Sequence, residues 1–110
     1  MMAVYCFDID GTICSQRDDG KYEYASPFDD RIAVINELYD EGHRIIFHTA
    51  RGMGRYKGNK KFAEQHFYEF TINQLRAWGV KYHELHLGKI HADFFIDDKG
   101  VNDERFFDTP

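Results

Sequence analysis

Asp8 and Asp10 stand two positions apart inside VYCFDIDGTIC, a run otherwise fit for a folded core, and a second acid pair, Asp97-Asp98, follows the apolar run FFI. Carboxylates that gather in one place repel one another and are costly unless a hard divalent cation neutralises them, and oxygen donors without bulky competitors suit Mg²⁺. Lys89 would add a positive charge, and Thr49, at the end of the apolar run RIIFH, a hydroxyl. Metal and lysine could hold the oxygens of a phosphoryl group, the hydroxyl could donate to it, and a carboxylate could attack phosphorus in line. The chemistry these residue types suggest is phosphoryl transfer.

Other readings compete for the same residues. Asp-Gly between apolar runs is also the strongest short-range signal for a tight β-hairpin. DIDG lacks the further acid and the distal glutamate of a calcium-binding helix-loop-helix. His83 and His86 lie three apart, which on a strand puts them on opposite faces, so they read as surface or satisfied histidines and not as zinc ligands. His91, close to Lys89, could touch substrate. Cys6 and Cys14 read as free thiols. Residues 51–61, RGMGRYKGNKK, carry five basic residues and no acid, which fits an anion-attracting loop or a solvated one.

The elements that must position these groups follow from periodicity. AVYCFDI reads as a strand buried on both faces, residues 13–26 as a flap with KYEYA as a short exposed strand, and RIIFH as a second strand. Ser26-Pro27-Phe28-Asp29 predicts a helix start with Ser26 as the cap. Phe28, Ile32, Ile35 and Leu38 give the helix one apolar stripe, and Gly42 ends it. A second helix is predicted over residues 61–78, with Phe67, Phe70, Leu75 and Trp78 buried. A third strand is predicted at residues 82–87, and FFI, ending in Asp97-Asp98, is predicted to be a fourth. Strands alternating with helices predict a single α/β domain over residues 1–110. Its architecture is a three-layer, Rossmann-like parallel sheet flanked by helices, with a short flap and no large cap. Functional groups in such a sheet collect at the carboxyl ends of the strands, where Asp8, Thr49 and Asp97 would meet.

At 110 residues, 43% hydrophobic and 30% charged, the chain has an ordinary globular composition, large enough to bury roughly two-thirds of its unfolded surface. A net charge of -5 argues against a general nucleic-acid coat. No apolar run approaches a bilayer span and no basic region precedes a long apolar stretch, so the expectation is a cytoplasmic protein with no membrane partner.

DIDGT at 8–12, a strand ending in Thr49, Lys89, and FIDD ending at Asp98 resemble the four motifs of phosphatases of the haloacid dehalogenase superfamily. DIDGTIC, TARG, WGVKYHELHLGK and FIDDK are similar, more narrowly, to small phosphatases associated with capsular polysaccharide synthesis. The resemblance implies a capless, Mg²⁺-dependent phosphomonoesterase. Asp8 would be the nucleophile that forms an aspartyl phosphate, and Asp10 the acid that protonates the leaving oxygen and then activates water. Lys89 would stabilise the transferring group, Thr49, Ala50 and Arg51 would bind substrate, and Asp97 with Asp98 would hold Mg²⁺ beside Asp8 and the backbone carbonyl of Asp10. Thr12 would help fix the turn. Lys89 lies closer to Asp97 than in many relatives, and Asp103 is an alternative metal partner. The expected substrate is a small phosphorylated metabolite such as a sugar phosphate. The alternatives are a nucleotide or nucleic-acid phosphate end, or a phosphate-binding module without turnover. A second subunit covering the open site would make the protein a homo-oligomer.

Overall fold

The computed structural model describes residues 2–55 and 57–108. Three strands, β1 (Val4–Phe7), β2 (Arg44–Thr49) and β3 (Glu84–Leu87), form one parallel sheet in the order β1-β2-β3. The crossovers carry α1 (Asp29–Asp40) and α2 (Lys60–Ala77), and a short helix, α3 (Asp103–Phe107), follows β3. The predicted class is therefore what the structure has: one α/β unit with a parallel sheet flanked by helices and no large cap.

The register decides which side chains share a face. Phe7 aligns with Phe47, and Phe47 with Leu85, so these three point to one side, where they join Ile45, Leu87, Ile32 and Ile35 of α1 and Leu75 of α2 in one buried cluster. Burying such a side chain is worth about 1.5–3 kcal/mol, and this cluster is what holds the helices to the sheet. From α3, Phe106 packs edge-on to Tyr5 and Phe7, with ring centroids 5.9 and 5.6 Å apart. The opposite face carries Val4, Cys6, Arg44 and His86, all exposed, with Ile46, His48 and Glu84 half-covered. Among the described residues α1 and α2 contribute to the buried cluster on the face that carries Phe7, Phe47 and Leu85.

The fourth predicted strand does not form. Residues 94–97 have no regular structure, and Phe94 and Ile96 are 83% and 94% exposed. A short apolar run reads as a strand from composition alone, but a strand also needs a partner edge, and here the segment crosses from the end of β3 to α3 without joining one. KYEYA, likewise predicted as a strand, instead makes a 3-10 turn at Tyr22–Tyr24. The Tyr22 carbonyl accepts from Gln74 Nε2 at 2.8 Å, and its hydroxyl accepts from Gly52 N at 3.3 Å.

The start of α1 also departs from expectation. Phe28 occupies the cap position and no side chain caps the helix. Ser26 and Pro27 are taken up in an antiparallel bridge, in which Pro27 faces Cys14 and Ser15 N donates to the Ser26 carbonyl at 2.9 Å. That bridge pins the flap and delays the helix. Gly42, at φ 99°, lies just beyond the end of α1, as predicted. Asn59 caps α2 by accepting from Phe62 N at 3.2 Å. On α2, Leu75 is fully buried, Phe67 and Trp78 pack at the core's margin, and Ala63 and Thr71 complete the buried side.

Candidate functional site

The chain leaves β1 at Phe7 and turns at once. Thr12 N and Ile13 N both donate to the Ile9 carbonyl, at 3.0 and 2.9 Å, and Gly11 adopts φ 82°. The Asp-Gly pair thus makes a tight turn, yet β1 pairs in parallel with β2 and no hairpin forms. Thr12 contributes its carbonyl, which accepts from Arg31 Nη1 at 2.9 Å, and Arg31 also pairs with Asp103 at 2.7 Å. This turn fixes Asp8 and Asp10 at the carboxyl end of the sheet.

A cleft of about 420 Å³ opens there, lined by Asp8, Asp10, Thr49, Ala50, Arg51 and Lys89 together with flap and loop residues. Six of the residues predicted to act on or bind substrate are therefore brought together. Lys89 Nζ lies 3.8 Å from Asp8 Oδ2 and 4.6 Å from the centre of the Phe95 ring. Its backbone N–H donates to the Thr49 carbonyl at 3.1 Å, which sets the lysine at the end of β3 beside β2. Burial pushes the Asp8 carboxyl above its ordinary range, while Lys89 and the Ile9 N–H pull the other way. The hydroxyl of Thr49 accepts from Arg51 N at 3.2 Å, leaving its own proton for an acceptor in the cleft.

Arg51 was expected to clasp a substrate anion, and its guanidinium is engaged otherwise. It is 1% exposed. Nε and Nη2 donate to the two oxygens of Asp10 at 2.9 and 3.0 Å, and Nη1 donates to Thr71 Oγ1 at 3.3 Å. The guanidinium carbon lies 4.7 Å from the Tyr22 ring centre and 6.0 Å from that of Phe70. This planar, two-pronged pairing suits a guanidinium buried among aromatic faces. Its work is to hold Asp10. Thr71 and Tyr22 are functional neighbours that the sequence reading passed over; a buried threonine on the inner side of α2 gives no signal by itself.

The metal set does not assemble. Asp97 and Asp98 do not line the cleft, and Asp97 Oδ1 accepts from the backbone N–H groups of Lys99, at 2.7 Å, and Gly100. Asp103, the alternative partner, is paired with Arg31. Among the described residues no group of three or more histidine, cysteine, aspartate or glutamate side chains could hold a metal ion. Both Asp10 carboxylate oxygens are turned to Arg51, a pairing that does not involve the backbone carbonyl expected of Asp10, and Asp8 lines the cleft.

The histidines have structural work. His83 Nδ1 accepts from Ile45 N at 3.0 Å and its ring stacks on Tyr39, while His86 contacts Glu84 at 2.9 Å. Cys14 is buried with its Sγ 3.6 Å from Asp10 Oδ1, and burial together with that acid pushes its thiol up to about 12.

Fold and site together define an α/β protein with a polar cleft at the carboxyl end of a parallel sheet, built on two aspartates, a threonine and a lysine. A crystal structure of a target protein from Vibrio cholerae superposes on it with a TM-score of 0.88 and 29% sequence identity, over 99% of this chain and 90% of that one. No family model matches the chain, and neither does any curated protein. No helix among the described residues is long and apolar enough to cross a membrane.

Proposed function

We propose that the protein is a phosphomonoesterase of the haloacid dehalogenase type, acting through Asp8 on a small phosphorylated metabolite such as a sugar phosphate. The observation that carries this reading is the meeting of Asp8, Asp10, Thr49 and Lys89 in one cleft, with the Lys89 ammonium 3.8 Å from Asp8. Asp8 would attack phosphorus to form an aspartyl phosphate, and Lys89 and the Thr49 hydroxyl would hold the phosphoryl oxygens. Asp10 would take a proton from water in the second half of the reaction, and since both its oxygens accept from Arg51 this needs the guanidinium fork to free one of them. Protonating the leaving oxygen in the first half requires the Arg51 fork to release one oxygen. The proposal includes Mg²⁺, which Asp97 with Asp98 would hold beside Asp8 and the backbone carbonyl of Asp10, and no step above is routed through it.

A small substrate is favoured over a nucleic-acid end because Lys57, Lys60 and Lys61 do not line the cleft, and Lys60 faces Glu64 at 3.8 Å. The dispersed placement of Asp97 and Asp98 favours the second reading, a phosphate-binding module without turnover. Phosphate release from a panel of phosphorylated metabolites, with and without Mg²⁺, separates the two. Expected is metal-dependent release that Asp8→Asn abolishes while its circular dichroism matches the parent. Full activity in that variant would end the nucleophile assignment, and phosphate binding without release on any substrate would favour the module.

A further inference from the structure

The charges of the cleft can be paired off. Arg51 is matched by Asp10, Lys89 faces Asp8, and Arg17 is held by Asp19 at 2.6 Å. Arg55 is different. Among the described residues no carboxylate lies within ion-pairing distance of it; its Nη2 has a long contact, 3.4 Å, to the Gly20 carbonyl, and its guanidinium carbon lies 5.4 Å from the Phe67 ring centre.

The rim that holds Arg55 is shaped by close approaches. A Cβ on Gly20, which has φ +71°, would lie 3.2 Å from Arg55 Nη2, and one on Gly54 would lie 2.7 Å from His91 Nδ1. Two glycines thus let Arg55 and His91 close onto the mouth of the cleft, from the loop after β2 and the segment after β3. Asp18 lines the same cleft, exposed and without a basic partner among the described residues. It would oppose a long polyanion spread across the rim, but a single anionic group seated on Arg55 can avoid it.

We infer that Arg55, with His91 on the same rim of the cleft, is a specificity-determining residue that reads a second anionic group, a carboxylate or another phosphate, on the organic part of the substrate. This rests on the phosphomonoesterase reading for the position of the reacting phosphate. A guanidinium that lies against an aromatic ring at the rim of a cleft is partly preorganised for an oxyanion, so less freedom is lost when it binds. A charge-assisted contact of this kind is worth roughly tenfold or more in affinity.

The test is calorimetric titration with two matched pairs: 3-phosphoglycerate against glycerol 3-phosphate, and fructose 1,6-bisphosphate against fructose 6-phosphate. The parent is expected to bind the more anionic member of at least one pair about tenfold tighter. The pair that discriminates tells carboxylate from phosphate. Arg55→Ala should collapse that ratio toward one, Arg55→Lys should restore part of it, and Lys61→Ser, outside the cleft, should leave it within about twofold. Equal binding of both members in both pairs, or an undiminished ratio in Arg55→Ala, would overturn the inference. Binding is read without turnover, so a protein that releases no phosphate would sink the phosphatase reading and leave this measurement to stand or fall separately.

Discussion

At the scale of single residues the central feature is the Asp10–Arg51 pair, whose side chains are 11% and 0% exposed. Removing one partner of a buried pair strands the other charge. Arg51→Ala is expected to cost about 3–5 kcal/mol in denaturant unfolding, and Asp10→Asn with Arg51→Met less than that; a loss for Arg51→Ala near zero would mean the pair does not exist in solution. Asp8 behaves in the opposite sense. Because burial raises its folded value, the folded chain keeps that proton to higher pH than the unfolded chain, and stability falls as pH rises through the window between the two values. Asp8→Asn should therefore raise the melting temperature at pH 7 and leave it nearly unchanged at pH 3. A lower melting temperature at pH 7 would contradict the direction. The thiols give a third check: Cys6 is exposed and Cys14 buried, so a disulfide-exchange reagent should titrate one cysteine in the folded protein and the second only on unfolding. Partial desolvation by its neighbours raises the exposed Cys6 thiol as well, against the pull of Lys89, so its reaction should be slow at pH 7 and quicken as pH rises. Asp8, Asp10 and Thr49 were legible in the sequence because they interrupt or end apolar runs, and Lys89 as the positive charge expected beside them. The engagement of Arg51 was not, since its partner is 41 residues away and only the fold brings the two together.

At the scale of elements, local signals worked where the partner of an element was also local. Three of the five predicted strands form, and α1 and α2 run within a few residues of their predicted bounds. FFI and KYEYA failed for one reason: alternation and apolarity describe a segment that could pair, and say nothing of whether an edge is there to receive it. Gly52, in TARG, is a tightly constrained joint between elements. It has φ +80°, and a Cβ there would lie 2.7 Å from Phe67 Cδ2 and 3.2 Å from the Ala63 Cα. The loop after β2 can reach α2 this closely only without a side chain. Gly52→Ala should lower stability by more than about 1 kcal/mol, through both the left-handed backbone and the contact with α2. Gly58→Ala, also at positive φ but with open space around it, should cost less. Similar losses for the two would remove the packing half of the argument.

At the scale of the molecule, sheet order equals chain order. Each strand therefore docks on the one that precedes it in the chain, and none has to be threaded between two already in place. Assembly can proceed in the direction of synthesis, one crossover at a time, each step closing a loop of similar length and covering apolar surface as it goes. The aromatic pair of α3 comes last, laid against Tyr5 and Phe7 of the first strand. A growing chain would thus hold the turn at the cleft, with Asp8 and Asp10, before the segment bearing Asp97 and Asp98 has left the ribosome. The two acid pairs belong to different moments in the birth of the protein as well as to different places in its fold.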